Sequence, residues 1–278
     1  MPENDHFNRL NSYFTKSRRG YDIFLWGAKH FGYYPIGVRV SEKQAQSLMQ
    51  DLIGEKVHLQ RSDRVLDAGC GQGVVTVYLA ERYGCRIEGI TVLEFETEEA
   101  INLARKHDVS DLVDFSLMDY ADMTFSDASF DAVYTMESLS HAVDVKKALS
   151  ELFRVLKNKG KIALFEYTIA DDNAFSESEM EVLDRIINLS AMDGLKQFRH
   201  DKFSFVMKDV GFQDVKIENI TENVEPSLRR LRNYAFIPYY FAKLVGKEKN
   251  HPNRTAAVEF YEMGKKDLFR YNIITAEK

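Results

Sequence analysis

The alternation of strand-like and helix-like segments between Arg64 and Tyr167 constrains the fold more than any other feature of this sequence. Short apolar runs predict five strands there: Arg64–Ala68, Arg86–Thr91, Val113–Leu117, Phe130–Thr135 and Lys161–Tyr167. Apolar residues at helical spacing predict helices between several of them: Val74–Tyr83, Thr97–Lys106 and Val145–Leu156. Such alternation is typical of parallel sheets, and right-handed crossovers place the helices on both faces. The sequence therefore predicts an α/β fold with a doubly wound, mostly parallel sheet.

The segments on either side of this core predict a three-part organisation. Residues 1–54 would form an N-terminal lid and helix, 55–168 the core, and 169–278 a cap insertion that also completes the sheet. The first forty residues are aromatic and irregular, and a capping box at Ser41–Gln44 opens a clear amphipathic helix. After Tyr167 the alternation stops. Helices are predicted at Ser176–Leu195 and Lys202–Gly211, and strands at Gln213–Ile220 and at Asn272–Thr275, the latter at the sheet edge. The predicted sheet then has seven strands.

Composition excludes several classes of protein. The net charge of −6 disfavours a nucleic-acid partner, because phosphate backbones attract basic surfaces. Two cysteines, Cys70 and Cys85, are too few for a disulfide framework, and neither lies in a metal-binding cluster. The N-terminus lacks a secretory signal, and no apolar stretch has the length of a membrane span. A cytoplasmic protein without a metal is expected.

The segment Val65–Gly73 carries the strongest chemical signal. It leads from a strand through Gly69, Gly71 and Gly73 into a helix, and glycines there permit a sharp turn and a close approach to a ligand. The G-x-G-x-G spacing differs from the dinucleotide pattern, and Asp67 at the strand end would repel a pyrophosphate. A ligand with an ammonium group is favoured, and the alternative is a glycine turn without a ligand.

These residues, together with three later segments, resemble the class I S-adenosylmethionine-dependent methyltransferases. The later segments are Asp119-Tyr120, Phe130–Val133 and Leu152–Gly160, and the resemblance covers about Glu55 to Tyr167. It implies a Rossmann-like fold and S-adenosylmethionine as the cofactor. By this resemblance, the methionine end would be held by Asp67, Gly69, Cys70, Gly71 and Gly73, and the adenine by Asp119 and Tyr120.

The end of the second strand departs from the common family pattern. Many relatives have an acid there that binds the ribose, whereas this chain has Gly89–Leu93, which is similar to the cyclopropane-fatty-acid synthases. The resemblance assigns cofactor contacts to Thr91, Val92 and Glu96. Alternatively, Glu96 is a solvated acid in the first turn of a helix.

The segment Tyr134–His141 follows the fourth strand and resembles sterol and tocopherol C-methyltransferases. Strand carboxyl ends line the ligand crevice of this fold, so Glu137 and His141 would face the methyl acceptor. The segment Trp26–Pro35 resembles the lid of the same group, and Met136 and Tyr33 are assigned to the cofactor site.

The predicted catalytic residues are Glu137, His141 and Tyr34. After methylation of an alkene, Tyr33, Tyr34 and Glu137 would stabilise a carbocation, and His141 or Glu137 would remove a proton. The same groups would also suit an ammonium acceptor. Structural roles remain alternatives for both Glu137 and His141.

The segment Leu228–Val245 combines three arginines with an aromatic run. It would form the mouth of a lipid pocket, a peripheral membrane surface, a diphosphate-binding site, or an amphipathic cap helix with a solvated basic edge. Pro238 would kink or end a helix there.

The favoured function is C-methylation of a small lipid- or isoprenoid-like acceptor. The alternatives are N-methylation of a small amine, cyclopropane-type methylene transfer, and S-adenosylmethionine binding without catalysis. The acceptor would be the partner of the site, and a homo-oligomer is left open.

Overall fold

The structure is a computed structural model, and it describes residues 2–24, 29–246 and 252–278. The strands are β1 Arg64–Ala68, β2 Arg86–Thr91, β3 Val113–Leu117, β4 Phe130–Met136, β5 Leu156–Ile169, β6 Gln213–Asn219 and β7 Phe269–Glu277. The helices within these ranges are α1 Pro2–Phe24, α2 Glu42–Val57, α3 Val74–Tyr83, α4 Glu94–Lys106, α5 Val145–Val155, α6 Glu177–Ser190, α7 Phe203–Val210, α8 Thr221–Leu244 and α9 Pro252–Gly264.

The seven strands form one sheet in the order β3-β2-β1-β4-β5-β7-β6. Strands β1 to β5 run parallel, while β7 pairs antiparallel with both β5 and β6. Alternate residues of each strand enter two hydrophobic clusters. One cluster includes α2, α3, α6, α8 and α9, and the other includes α5 and α7. The predicted doubly wound, Rossmann-like sheet of seven strands, with helices on both faces, is confirmed.

Strand β7 does not lie at the edge, as the sequence had suggested for Asn272–Thr275. It extends over Phe269–Glu277 between β5 and β6, and β6 is the edge strand. The reason is its apolar content on both faces: Tyr271, Ile273 and Ile274 are all buried. A strand that is buried on both faces needs neighbours on both sides.

Two helices also differ from the prediction. The first of them, α1, occupies a region that was expected to be irregular. Its buried residues His6, Leu10, Tyr13 and Ser17 follow helical spacing, so one stripe of α1 packs on the molecule. The second, α8, continues past Pro238 to Leu244. Pro238 has no N–H to donate to the carbonyl of Tyr234, four residues earlier on an exposed part of α8.

Candidate active site

A cavity of about 210 Å³ lies at the carboxyl ends of β1 to β4, beneath α1. Most of the residues predicted for the site line this cavity: Asp67, Gly69, Cys70, Gly71, Thr91, Val92, Glu96, Asp119, Tyr120, Met136, Glu137 and His141. Three others, Gly73, Tyr33 and Tyr34, are not among the described residues that line it. The predicted convergence of strand ends on one ligand crevice thus matches the structure for most positions.

The glycine loop leaves β1 in a backbone conformation that favours glycine. Gly69, Gly71 and Gly73 have φ values of 97°, 53° and 76°, all in the left-handed region. A Cβ atom on Gly69 would come within 1.9 Å of the Ser138 hydroxyl, so this residue can only be glycine in the present packing. Gly73 starts α3 and packs against the Ala100 and Phe115 side chains, which explains why it supports the loop without reaching the cavity.

Asp67 lies at the end of β1 and is almost fully buried. Its Oδ2 accepts hydrogen bonds from the Thr76 and Tyr134 hydroxyls, each at 2.6 Å. Burial raises the pKa of this carboxyl to about 6, although the two hydrogen bonds act in the opposite direction. Asp67 is therefore a mostly ionised carboxylate at neutral pH, fixed in orientation, at the base of a cavity. A cationic ligand group would compensate its buried charge.

Glu96 lies in the first turn of α4 and is buried, so it is not the solvated acid of the alternative interpretation. It accepts a hydrogen bond from the Thr91 hydroxyl at 2.8 Å, and Lys29 Nζ lies 2.8 Å from its other oxygen. Lys29 also faces the Phe14 ring, with Nζ 5.5 Å from the ring centroid. This ion pair links the segment after α1 to the end of β2, and the sequence analysis had not identified it.

Asp119 and Tyr120 lie directly after β3. Asp119 Oδ1 accepts the Ala121 backbone N–H at 2.8 Å, which fixes the carboxylate in a tight turn. The Tyr120 hydroxyl donates to the Ser138 carbonyl at 3.1 Å, and burial raises its pKa above the ordinary value. The pair thus forms one wall of the cavity between β3 and β4.

Glu137 follows β4 in a left-handed backbone conformation, with φ of 52°. Its carboxylate accepts three hydrogen bonds: from the Phe31 backbone N–H and the Tyr271 hydroxyl, both at 3.0 Å, and from the Tyr167 hydroxyl. Burial raises its pKa to about 7, against the effect of these bonds. A strained backbone that persists at a cavity indicates function, since such strain costs on the order of 1–3 kcal/mol. Glu137 also fixes the segment at Phe31 to the sheet.

Glu166, at the end of β5, is a second buried carboxyl close to Glu137. Its Oε1 accepts the backbone N–H groups of Ser138 and Leu139 at 2.7 and 2.6 Å, while Oε2 has no hydrogen bond within the described residues. Burial raises its pKa to about 7. Glu166 therefore holds the turn that carries the cavity residues after β4. In the sequence, Glu166 can be recognised as an acidic residue within an otherwise apolar strand.

His141 lies in a short 3-10 turn after β4 and faces the cavity. Its Nδ1 is 3.0 Å from the Ala191 carbonyl oxygen, so Nδ1 carries the proton and donates to it. Burial lowers the pKa of this imidazole to about 4. At neutral pH, Nε2 is consequently an unprotonated hydrogen-bond acceptor. The Phe14 ring lies next to it, with ring centroids 5.3 Å apart.

Tyr34 is not placed against the methyl acceptor, contrary to the prediction from sequence. Its hydroxyl donates to Glu42 on α2, and burial raises its pKa to about 12. Tyr33 packs against the hydrophobic core, and its backbone N–H donates to the Ala45 carbonyl at 2.8 Å. Both rings are anchors of the segment 29–35. Trp26, in the same proposed lid, lies outside the described residues.

Helix α1 supplies a cavity wall that the sequence analysis did not assign. Five of its side chains line the cavity, and so does Met192: His6, Phe7, Leu10, Tyr13 and Phe14. The helical spacing of His6, Leu10 and Tyr13 would have predicted this wall, but the aromatic density of the region hid the pattern.

Comparisons with known proteins agree with this geometry. Residues 66–164 match the family model described as a methyltransferase domain. The S-adenosyl-L-methionine-dependent Diels-Alderase iccD of Talaromyces variabilis is 30% identical over 271 residues, which cover 95% of this chain and 91% of that protein. The chain belongs to the class I S-adenosylmethionine-dependent methyltransferases.

Two further relatives place this methyltransferase within its family. The sterol 24-C-methyltransferase ERG6 of Saccharomyces cerevisiae is 27% identical over 259 residues, covering 92% of this chain and 63% of that protein. The crystal structure of the [4+2]-cyclase SpnF has a TM-score of 0.78 at 24% identity, covering 96% of this chain and 95% of that chain. The second likeness concerns the fold.

The cofactor of this methyltransferase is S-adenosylmethionine, and the cavity residues fit it. Gly71 and Glu96 both line the cavity, and a Cβ atom on Gly71 would lie 3.8 Å from Glu96 Oε1. The backbone of the glycine loop therefore borders the space that a ligand would occupy. Carboxylates follow the three adjacent strands β1, β2 and β3, and they suit a ligand with a cationic end, ribose hydroxyls and an amino-bearing base. By the family resemblance, Asp67 would hold the cationic end, Glu96 the ribose and Asp119 the base.

None of the described residues that line this cavity belongs to the aromatic segment Leu228–Val245 of this methyltransferase, so the segment does not form the mouth of this cavity. Within α8, several large side chains are exposed: Tyr234, Ile237, Tyr240, Phe241 and Leu244. A membrane surface or an interface between copies stays a prediction for this face. Among the described residues, no helix is long and apolar enough to cross a membrane, and no cluster of three metal-ligating side chains occurs.

Proposed function

We propose that this methyltransferase transfers the methyl group of S-adenosylmethionine to a carbon atom of a bulky, apolar, isoprenoid- or sterol-like molecule. One observation carries the proposal: a single cavity has carboxylates at the strand ends and an apolar aromatic wall from α1. The charged part suits the cofactor, and the wall of Phe7, Leu10, Tyr13 and Phe14 suits a substrate that binds mainly by burial of apolar surface.

The chemistry follows from these two parts of the cavity. S-adenosylmethionine, when bound, supplies an electrophilic methyl group, and the chain orients the acceptor carbon and excludes water. Addition of a methyl group to an alkene leaves a positive charge on the acceptor. The Glu137 carboxylate and the Tyr167 ring both line the cavity and would stabilise this charge. His141 Nε2, which is unprotonated at neutral pH, would accept the departing proton.

The relatives support this assignment. The similarity to the sterol 24-C-methyltransferase ERG6 extends over 92% of the chain. N-methylation of a small amine fits the cavity less well, because an amine would leave most of the α1 wall without an apolar partner. Cyclopropane formation on a lipid alkene would use the same groups. It would differ in the final step, in which the transferred carbon closes a three-membered ring instead of remaining a methyl group.

A direct test uses S-adenosylmethionine with a ¹³C-labelled methyl group and three acceptors: a sterol, geranyl diphosphate and phosphoethanolamine. We expect S-adenosylhomocysteine to form with an isoprenoid or sterol acceptor, and the ¹³C resonance of the product to lie in the range of a methyl group bound to carbon. A cyclopropane resonance would assign methylene transfer instead. Turnover with phosphoethanolamine alone would overturn the proposal.

Cyclisation of the substrate without methyl transfer is a second candidate function. It is favoured by the 30% identity to the Diels-Alderase iccD across 95% of the chain. It is also compatible with Glu137, whose three hydrogen bonds suit a fixed wall around a reacting polyene. The test replaces S-adenosylmethionine by S-adenosylhomocysteine with a linear diene–alkene substrate. A cyclic product of unchanged mass, with either cofactor form, would support cyclisation, whereas a methylated product without any cyclic product of unchanged mass would exclude it.

A further inference from the structure

Two histidines from distant parts of the chain face the same end of the cavity. His6 comes from α1 and His141 from the turn after β4, and both line the cavity together with Met192. A charge on His6 would lower the pKa of His141, which shows that the two imidazoles are near each other. The roles assigned above use His141 alone, so the function of His6 needs an explanation of its own.

His6 is held by a carboxylate from a distant part of the sequence, Asp193. Its Nδ1 lies 2.6 Å from Asp193 Oδ2, in the turn that follows α6, and the imidazole is only 4% exposed. Arg9, one turn further along α1, donates to both oxygens of the same carboxylate, at 2.6 and 3.3 Å. Although burial opposes it, hydrogen bonds from Arg9 and His6 hold the pKa of Asp193 below its ordinary value. Asp193 is therefore an ionised acceptor.

An ionised acceptor fixes the tautomer of the histidine. Because carboxylate oxygens only accept hydrogen bonds, Nδ1 of His6 carries a proton, and Nε2 of the neutral ring is then an acceptor. His141 has the same arrangement, since its Nδ1 donates to the Ala191 carbonyl. Within the described residues, no hydrogen bond joins Nε2 of either histidine to another side chain. The imidazoles of two histidines thus line one cavity beside the apolar wall of α1.

We propose that His6 and His141 form a recognition site for an acidic hydroxyl group, such as a phenol or an enol, on the otherwise apolar substrate. The inference rests on the proposed function, because it takes the α1 side of the cavity as the substrate side. The hydroxyl donates to Nε2 of His6. When it ionises, the O–H bond breaks, the proton binds Nε2, and the imidazolium is balanced by Asp193. An ether or an alkane at this position would leave Nε2 of His6 without a donor.

The test compares two probes that differ by one O–H group, 2-naphthol and 2-methoxynaphthalene. Their binding to the full chain, saturated with S-adenosylhomocysteine, is measured by calorimetry. We expect naphthol to bind about tenfold more tightly, the usual effect of one buried hydrogen bond. Under excitation at wavelengths that only ground-state naphtholate absorbs, naphtholate emission should appear on binding, an emission shift that a purely structural role of His6 would not produce.

Variants of His6 and Asp193 test whether these two residues cause the preference for naphthol. His6→Gln and Asp193→Asn should both reduce the preference for naphthol to less than about threefold and abolish the emission shift. His6→Gln keeps the Arg9–Asp193 ion pair, so it tests the idea even if Asp193→Asn loosens α1. The matched control is His107→Gln, because His107 forms the same kind of pair with Glu81, at 2.9 Å, on the surface. It should bind both probes as the wild type does.

The outcomes separate this inference from the proposed function. Equal binding of the two probes to the wild type, or an unchanged preference in both variants, would overturn the hydroxyl site and leave the apolar substrate cavity intact. If neither probe binds although S-adenosylhomocysteine does, the α1 side is not a substrate cavity, and both proposals are wrong.

Discussion

The cofactor end and the substrate end of the cavity are built in different ways. The cofactor end rests on consecutive residues from Asp67 to Gly73, with Glu96 and Asp119 at the ends of the next strands. The substrate end is assembled from α1, the turn after β4 and the turn after α6, where His6, His141 and Asp193 meet.

This difference determines what substitutions should do. At the cofactor end, the φ angles of three glycines and two hydroxyl donors to Asp67 are fixed by the local chain and the sheet. At the substrate end, a single carboxylate such as Glu137 connects residues that are far apart in sequence: Phe31, Tyr167 and Tyr271. Substitutions at the cofactor end should change cofactor affinity, and those at the substrate end should change turnover.

The largest effect is expected for Glu137→Gln. An amide cannot stabilise a positive charge as a carboxylate does, so turnover should fall at least about 100-fold. Cofactor affinity, measured by calorimetry, should stay within about threefold, because Asp67 and Glu96 are unchanged. The matched control is Glu88→Gln. It removes a carboxylate on β2 that forms an ion pair with Arg64. Turnover at the full rate in Glu137→Gln would show that this residue has no chemical role.

The next effect is expected for Asp67→Asn, which should weaken S-adenosylmethionine binding about 30-fold, as the loss of one charged hydrogen bond typically does. Calorimetry measures the affinity, and thermal unfolding verifies that the variant is folded. Asp114→Asn serves as the control, since Asp114 is an exposed carboxylate on β3 of the same sheet. Retained affinity in Asp67→Asn would remove the assignment of Asp67 to the cationic end of the cofactor.

The sequence predicted the cofactor end in detail because its geometry is encoded locally. A strand, three glycines and an acid in nine residues define both the turn and its ligand. Thr91, Val92 and Glu96 were assigned by the family resemblance, and the sheet topology places the end of β2 beside the end of β1. The partner of Glu96 was missed, since nothing near Lys29 in the sequence indicates which of many carboxylates it contacts.

The substrate end was predicted only in part, for a physical reason. Glu137 and His141 follow a strand and were identified by that position, whereas His6 and Asp193 meet only through the packing of α1 on α6. Tyr34 was misplaced because aromatic residues are equally typical of cavities and of anchors. Its hydroxyl turned out to lie against Glu42. The strand at Asn272–Thr275 was correctly predicted as a strand. It was expected at the edge of the sheet, whereas β7 lies between β5 and β6.

The pH dependence of cofactor binding should distinguish the two ends further. Burial raises the pKa of Asp67 to about 6, and only the ionised carboxylate attracts a cationic ligand. Affinity should therefore be constant above about pH 7 and fall about tenfold between pH 7 and pH 5, as protonation competes with binding. Asp67→Asn should flatten this profile. An equally steep profile in the variant would assign the titration to another group.

The ionisation of Asp67 affects folding stability in the opposite direction: as pH rises, its contribution to stability decreases, whereas cofactor affinity increases. Because the pKa of Asp67 is raised above that of the unfolded chain, the folded state retains a proton that the unfolded state has already lost. The contribution of Asp67 to the free energy of unfolding thus decreases between about pH 4 and pH 6, the unfolded and folded pKa values. Denaturant titrations of wild type and Asp67→Asn across this range should show the difference.

The smallest effect is expected for Tyr34→Phe, which tests whether the structure places this residue correctly. Glu42 would keep its hydrogen bond from Ser227 at 2.8 Å and its ion pair with Arg230 at 3.0 Å, so no buried charge is left unpaired. Stability should decrease by about 1 kcal/mol, with a shift of the unfolding midpoint of about 2–4 °C. Turnover should change less than about threefold, because the ring lies away from the cavity. A loss of turnover comparable to that of Glu137→Gln, in a folded variant, would return Tyr34 to the substrate end and contradict the separation between anchor and cavity residues in segment 29–35.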